Sequence, residues 1–212
     1  MADMAGFFAA LIPERRARPG LDLVSRVVNA EVDGAALSDA DIIGFCILLL
    51  IAGNETTTNL LANLLNFLAE RPDIVEQLRA EPELIDAAVE EVLRFDGPVQ
   101  FISRQATRDV QLGERTIAAG DVVHVVLGAA NRDPRSYDDP GRFRLDRENN
   151  HHHTFGYGIH FCIGAPLARL EARIAMQALL RRFERIDRAP GKNERTASQL
   201  LRGFHHLWLE FA

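Results

Sequence analysis

Apolar positions run almost without a break along one stretch of this chain: Ile42, Ile43, Phe45, Ile47 to Ile51, Leu60, Leu61, Leu64, Leu65, Phe67 and Leu68. Ser38 stands where an N-cap belongs, and Asp41, three residues on, completes a capping box. The pattern predicts one long helix from there to Glu70. A helix apolar on every side is expected to lie buried through the middle of a protein. Ahead of it, residues 4–18 read as the end of a helix, with Pro13 inside or terminating it. Residues 21–31 read as a short helix, and Asp33-Gly34 as a turn. Behind it, Pro72 and Pro82 stand at favoured first-turn positions of two further helices, the second ending near Phe95.

The pattern then changes period. Residues 99–107, 110–112, 115–117 and 122–127 alternate or run β-branched, with Gly113 and Gly120-Asp121 between them, which predicts a small antiparallel sheet. Residues 131–150 are charged and carry Pro134, Pro140 and Gly141, so they read as loop. A glycine-rich stretch, Thr154 to Arg169, follows and runs into a strong helix over 165–183. Residues 200–211 are strand-like and hold Trp208. The order of helices, small sheet and one late helix predicts a mainly α, α+β fold.

Composition narrows the class. At 212 residues, 47% hydrophobic and 25% charged, the chain has enough apolar material for one globular core or somewhat more. A formal charge of −6 argues against nucleic acid as the main partner. Cys46 and Cys162 make no disulfide framework and suit a reducing, cytoplasmic setting. The apolar residues 7–12 are short, and Arg15, Arg16 and Arg18 follow rather than precede them, so no signal peptide reads there. The run at 42–52 reads as too short and interrupted for a membrane anchor.

Three clusters carry chemistry. Ala52-Gly53-Asn54-Glu55-Thr56-Thr57 puts polar groups into the apolar rod. Gly53 costs about 1 kcal/mol against Ala, and Thr56 can bond back to the carbonyl of Ala52 and bend the helix. A bent helix with small residues makes room for a flat ligand. Glu91 and Arg94, at i and i+3, share a helix face and can pair; Arg142 is a second basic group that can complete a buried Glu–Arg–Arg lock, structural rather than catalytic. In the glycine loop, Cys162 lies just before a helix start, where backbone N–H groups favour the thiolate. That thiolate is a nucleophile, a zinc ligand together with His160 and one of His151 or His153, or an axial ligand to a cofactor metal. Arg104, on the first strand, needs an anion if it faces inward. Cys46 reads as a core residue.

Together these residues resemble the C-terminal half of a bacterial-type cytochrome P450, a haem-thiolate monooxygenase. Phe155-Gly156-Tyr157-Gly158-Ile159-His160-Phe161-Cys162-Ile163-Gly164 matches that family's haem-ligand signature in full. The Ala52–Thr57 cluster matches its oxygen-activation motif, Glu91, Arg94 and Arg142 its Glu–Arg–Arg triad, and Asn131-Arg132-Asp133-Pro134 is also similar. The resemblance implies haem b (iron protoporphyrin IX) with Cys162 as the iron ligand and Ile163 and Gly164 tuning the sulfur. It implies Arg104 and His160 on the propionates, Phe155 and Gly156 beside the sulfur, and Ala52 and Gly53 over the distal face. Glu55 and Thr56 would deliver protons to dioxygen there, and Val99 would border a small organic substrate. Electrons would come from a ferredoxin and its reductase, with Arg169, Arg173 and Arg181 available to face an acidic partner. The resemblance further implies that residues 1–212 form a partial domain, without the N-terminal half that roofs the substrate pocket in that family. A non-catalytic haem-binding remnant is the alternative reading.

Overall fold

The computed structural model describes residues 2–148, 150–191 and 193–212. They fall into two compact units, divided within the long helix between Glu55 and Thr56.

In the first unit, α1 (Ala2–Ala17) runs through Pro13 without ending there. The helix α2 (Leu23–Val28) starts at Asp22, whose carboxylate accepts the Ser25 N–H at 2.9 Å. A hairpin of β1 (Glu31–Val32) and β2 (Ala35–Ala36) follows. Its turn residues Asp33 and Gly34 both have positive φ, 53° and 78°, the pairing that two-residue hairpins favour. The helix α3 (Asp39–Leu68) begins as its pattern predicts: Ser38 Oγ accepts the Asp41 N–H at 3.2 Å and bonds the Asp41 carboxylate at 2.6 Å. Phe8, Ile12, Val27, Val28, Ile42, Cys46 and Ile47 form this unit's core.

The expectation that α3 is buried all round does not hold. Phe45, Leu48, Leu50 and Ile51 are exposed, at 40–60% of their surface. The core of α1 and α2 covers only one stripe of the helix, so the opposite stripe keeps its side chains in the open. Ala52, Gly53, Asn54 and Glu55 are exposed with it, so the polar cluster carries no burial cost here.

In the second unit the later half of α3 supplies Leu60, Leu64 and Leu68 to a larger core. Against them stand α4 (Pro72–Ala80), α5 (Leu84–Asp96) and α7 (Ala165–Arg182), with Val75, Leu78, Ala88, Val89, Val92, Ala172, Met176 and Leu180. Spacings of three and four put each set on one helix face. Pro72 opens α4 as predicted, whereas Pro82 precedes α5 in a turn, its carbonyl accepting the Ile85 N–H. Between α5 and α7 lie β3 (Ile102–Gln105), β4 (Val110–Leu112), β5 (Arg115–Ile117), β6 (Val122–Val125) and a short α6 (Leu127–Ala130). The predicted single sheet is two separate ladders, β3 with β6 and β4 with β5, because strands of three or four residues exhaust their pairing on one neighbour. After α7, β7 (Ile186–Arg188) pairs β10 (Leu209–Phe211), and β8 (Glu194–Arg195) pairs β9 (Phe204–His206).

Among the described residues, α3 is the one helix long and apolar enough, by length and composition, to cross a membrane, its mean hydropathy reaching 1.4. The apolar run therefore extends further than the sequence reading allowed. Its second half nonetheless carries polar ties of a protein core. The Asn63 side chain, fully buried, donates to the carbonyls of Asp96 (2.8 Å) and Arg202 (2.9 Å) and accepts from Arg195 (2.8 Å). Asn66 accepts from Arg188 at 2.9 Å.

The exposed stripe of α3 generates a prediction. In size-exclusion chromatography over a dilution series, this chain elutes with a concentration-dependent shift to larger species. A concentration-independent monomer peak refutes it. Leu48→Glu with Ile51→Glu moves the equilibrium toward monomer.

Candidate functional site

The site is built on α5. Glu91 and Arg94 are both wholly buried and pair bidentately, at 2.7 and 2.8 Å. Two charges this deep need every lone pair and proton matched. Among the described residues, Glu91 receives five bonds: two from Arg94, and one each from the Arg144 N–H (2.9 Å), Arg147 Nε (3.0 Å) and the Asn150 amide (3.2 Å). Arg94 donates in turn to the carbonyls of Asn131 (2.9 Å), Pro140 (2.9 Å) and Arg142 (3.1 Å). The second guanidinium on Glu91 is thus that of Arg147 and not, as expected, that of Arg142. Arg142 is exposed and contributes its backbone carbonyl to Arg94 and Arg147. At position 142 it is the backbone carbonyl, bonded by both guanidinium groups, that faces the cluster, and the side chain is exposed.

This hub carries the cysteine loop. Asn131, held by Arg94 through its carbonyl, uses its side chain to accept the His153 N–H (2.7 Å) and to donate to Thr154 Oγ1 (2.9 Å). Thr154 is buried and donates from Oγ1 to the Leu93 carbonyl at 2.6 Å. The loop leaves this anchor, passes through Gly156 and Gly158 at φ of 76° and 70°, and makes a 3-10 turn at Gly158–His160. Positive φ at both positions explains the two glycines without appeal to function. The Cys162 N–H then donates back to the Phe155 carbonyl at 2.9 Å and closes the loop.

Cys162 is an exposed, free thiol at the crown of that loop. Around it Tyr157, Ile159, Phe161 and Ile163 turn outward, with Ile159 99% exposed. Large apolar side chains so exposed beside one sulfur form a bare apolar surface, the kind that marks an interaction site. A side chain at Gly164 would stand 3.8 Å from the sulfur, so the backbone ahead of α7 passes close beside it. Among the described residues no three His, Cys, Asp or Glu side chains come together as a metal-binding group. Cys162, His160 and the histidines at 151 and 153 therefore form no zinc site. A single protein sulfur fits instead a metal whose other ligands belong to a cofactor, and the exposed apolar rim fits a flat, greasy one.

The other expected residues stand as follows. Arg104 is exposed on β3 opposite Val123 and donates to the Ser103 carbonyl at 2.9 Å. His160 is exposed at the end of the 3-10 turn. Thr56 is half-buried in α3. A methyl group at Gly53 would meet nothing within 4 Å, so the helix tolerates its flexible residue for no packing reason of its own.

The sequence reading missed a second charged cluster, next door to the first. Glu90 takes both Nε and Nη2 of Arg169, at 2.6 and 2.8 Å, and stands 3.2 Å from His152 Nε2. Burial works to raise the Glu90 pKa, but hydrogen bonds from Arg169 and His152 override it and hold the carboxyl at about 2. Arg169 is thereby already matched, and Arg173 lies 3.5 Å from Asp86, so neither stands as an unopposed cation for an acidic partner. The signal for this cluster was the doubled Glu90-Glu91: neighbouring helix positions face about 100° apart, so one carboxylate enters the hub and the other meets α7.

Comparison with known proteins identifies the arrangement. The family model described as "Cytochrome P450" matches residues 9–203. A putative cytochrome P450, YjiB of Bacillus subtilis, is 47% identical over 87% of this chain and 47% of its own length. The cytochrome P450 monooxygenase PikC of Streptomyces venezuelae is 44% identical over 98% of this chain and 51% of its own. The crystal structure of CYP109E1 from Bacillus megaterium in complex with testosterone superposes with a TM-score of 0.93 at 41% identity, over 99% of this chain and 58% of that one. The chain spans about half the length of the curated relatives it matches.

Two predictions come from the charged clusters. Glu91→Ala, which strands Arg94 in the core, lowers unfolding stability by about 3–5 kcal/mol, whereas Arg142→Ala stays within about 0.5 kcal/mol; urea titration measures both. For Glu90 the folded pKa, about 2, lies below the ordinary 4.5. Its stabilising contribution is therefore complete above the unfolded value and lost as pH falls toward 2. The stability gap between wild type and Glu90→Gln, measured by urea titration at each pH, narrows as pH falls through that acid range.

Proposed function

We propose, from the premise that the chain belongs to the cytochrome P450 family, that it is the thiolate-bearing part of a haem monooxygenase acting on a small organic substrate. The observation that carries the reading is the exposed Cys162 sulfur, alone as a donor and ringed by outward apolar side chains. Cys162 would hold a haem iron as the protein's sulfur donor, and the apolar side chains around it would cover the cofactor's apolar surface. When bound, haem b supplies reductive activation of dioxygen, so that one oxygen atom enters the substrate and the other leaves as water.

The chain's own residues have separate tasks. The Phe155–Cys162 backbone bond and the two left-handed glycines hold the sulfur at a fixed height above the loop. The backbone at Ile163 and Gly164 lies beside the sulfur and moderates its charge. Arg104 and His160 present exposed cationic or N–H groups for the two propionates. Tyr157, Ile159 and Ile163 keep water from the sulfur once a planar ligand covers them. On α3, the Ala52–Thr57 cluster matches the family's oxygen-activation motif, which supports a proton-delivery role for the Thr56 hydroxyl and the exposed Glu55 carboxylate, with Ala52 and Gly53 as that motif's small residues. Electrons come from a ferredoxin-type partner. Residues 1–212 then form part of a larger catalytic domain.

A second reading is favoured by one observation, the exposed apolar stripe of α3. On that reading the chain ligates haem through Cys162 and turns nothing over.

A spectrum tests both. Haem-supplied protein, reduced under carbon monoxide, gives the strongly red-shifted Soret band of a thiolate ligand, and Cys162→Ala abolishes it. Folded, haem-supplied protein without that band overturns the ligand assignment. With the band present, product formation in the company of a reducing partner supports the monooxygenase, and its absence supports the non-catalytic reading.

A further inference from the structure

The second charged cluster sits at the base of the cysteine loop, and its geometry reaches the sulfur in two steps. Arg169 lies in the second turn of α7 and is clamped by both oxygens of Glu90. Its guanidinium carbon stands 4.6 Å from the centre of the Phe155 ring, a cation–π stack. The carbonyl of that same Phe155 receives the Cys162 N–H, and its ring lies 6.4 Å from that of Phe161 on the other side of the loop. Glu90 is fixed from the opposite flank by His152, whose Nδ1 faces the Thr154 N–H at 3.3 Å. Both members of the pair are half-buried and held by these contacts, and the two charges are not equivalent. The cation lies against the ring that shares a residue with the sulfur's backbone partner, while the carboxylate extends from α5 behind it.

We propose that Glu90 and Arg169 are positioning residues that set how strongly the Cys162 sulfur donates electron density to its metal, the cation drawing charge from the sulfur and the carboxylate restoring it. This rests on the reading of Cys162 as an iron ligand. The bond from Glu90 raises the Arg169 pKa against the opposing effect of burial, so the guanidinium is held as a cation against the Phe155 ring. A pair that merely tied α5 to α7 would have no sign: loss of either partner would loosen the loop in the same way. A tuning pair has opposite signs. Removing the carboxylate leaves a positive charge that favours the reduced, more negative iron–sulfur unit. Removing the guanidinium leaves a negative charge that disfavours it.

The experiment is a spectroelectrochemical titration of the haem-loaded chain as wild type, Glu90→Gln, Arg169→Gln, the double variant, and Arg169→Lys, each first checked for the thiolate band under carbon monoxide. At a fixed applied potential near the wild-type midpoint, Glu90→Gln raises the ratio of reduced to oxidised iron by roughly three- to tenfold, the scale of one partly screened charge. Arg169→Gln lowers it by a similar factor. The double variant returns close to wild type, and Arg169→Lys, which keeps the charge, stays within about twofold. Shifts of the same direction in both single variants, or no shift in any, overturn the proposal while leaving the ligand reading intact. Should Glu90→Gln fail to fold, the opposed behaviour of Arg169→Gln and Arg169→Lys decides the matter alone. A wild-type chain that folds with haem and lacks the thiolate band overturns the ligand reading and this proposal with it.

Discussion

Everything near the cysteine loop hangs from one buried carboxylate. Glu91 is fully enclosed and ionic, a state tolerable only because Arg94, Arg147, Asn150 and the Arg144 N–H surround it. Replacing such a cluster by apolar residues often costs a protein nothing in stability. Its worth lies in geometry. An apolar contact between α5 and the irregular segment after Asn131 permits many registers, whereas a carboxylate that needs donors from particular positions permits one. That register places Asn131, which places Thr154, which places the loop. The sulfur's position is therefore set by directional bonds at each link, from the core of α5 outward.

The sequence made the loop, the long helix and the Glu91–Arg94 pair legible because each has a local signature: glycines around a cysteine, an unbroken apolar run, an i,i+3 spacing. What escaped had no local signature. Arg142 and Arg147 are equally basic and both lie in an irregular segment, where no periodicity in the sequence says which one turns inward. The Glu90–Arg169 pair joins residues 79 positions apart, and the doubled Glu90-Glu91 signals a second carboxylate without naming its partner. Asn63 and Asn66 carry no signature of their own, and Arg195 and Arg188, which bond them, lie in strands more than 120 residues further along. The single predicted sheet dissolved into paired ribbons for the same reason: alternation reveals a strand but not its neighbour.

The two faces of α3 tell different stories about the same apolar pattern. From Leu60 onward the helix is packed, and its polar residues are bonded within the core. From Phe45 to Glu55 it is packed on one side only. Composition reads both halves alike, since a side chain's hydrophobicity does not say whether a neighbour has arrived to cover it. The structure separates them, and it places Gly53, whose lack of a side chain no protein neighbour requires, in the half that stands open.

The span of the Glu91 cluster has a consequence for how the chain is made. Its donors from Arg144, Arg147 and Asn150 lie 53, 56 and 59 residues further along. At synthesis rates of about 5–20 residues per second, several seconds separate the emergence of the carboxylate from that of its last partner. During that interval α5 can form as a helix but cannot sink into an apolar core, because its two charges still need water. The helix that founds the site is thus held at the surface of the nascent chain until the segment carrying the cysteine loop is next in line, and the order of assembly is written into the distance between a carboxylate and the groups that satisfy it.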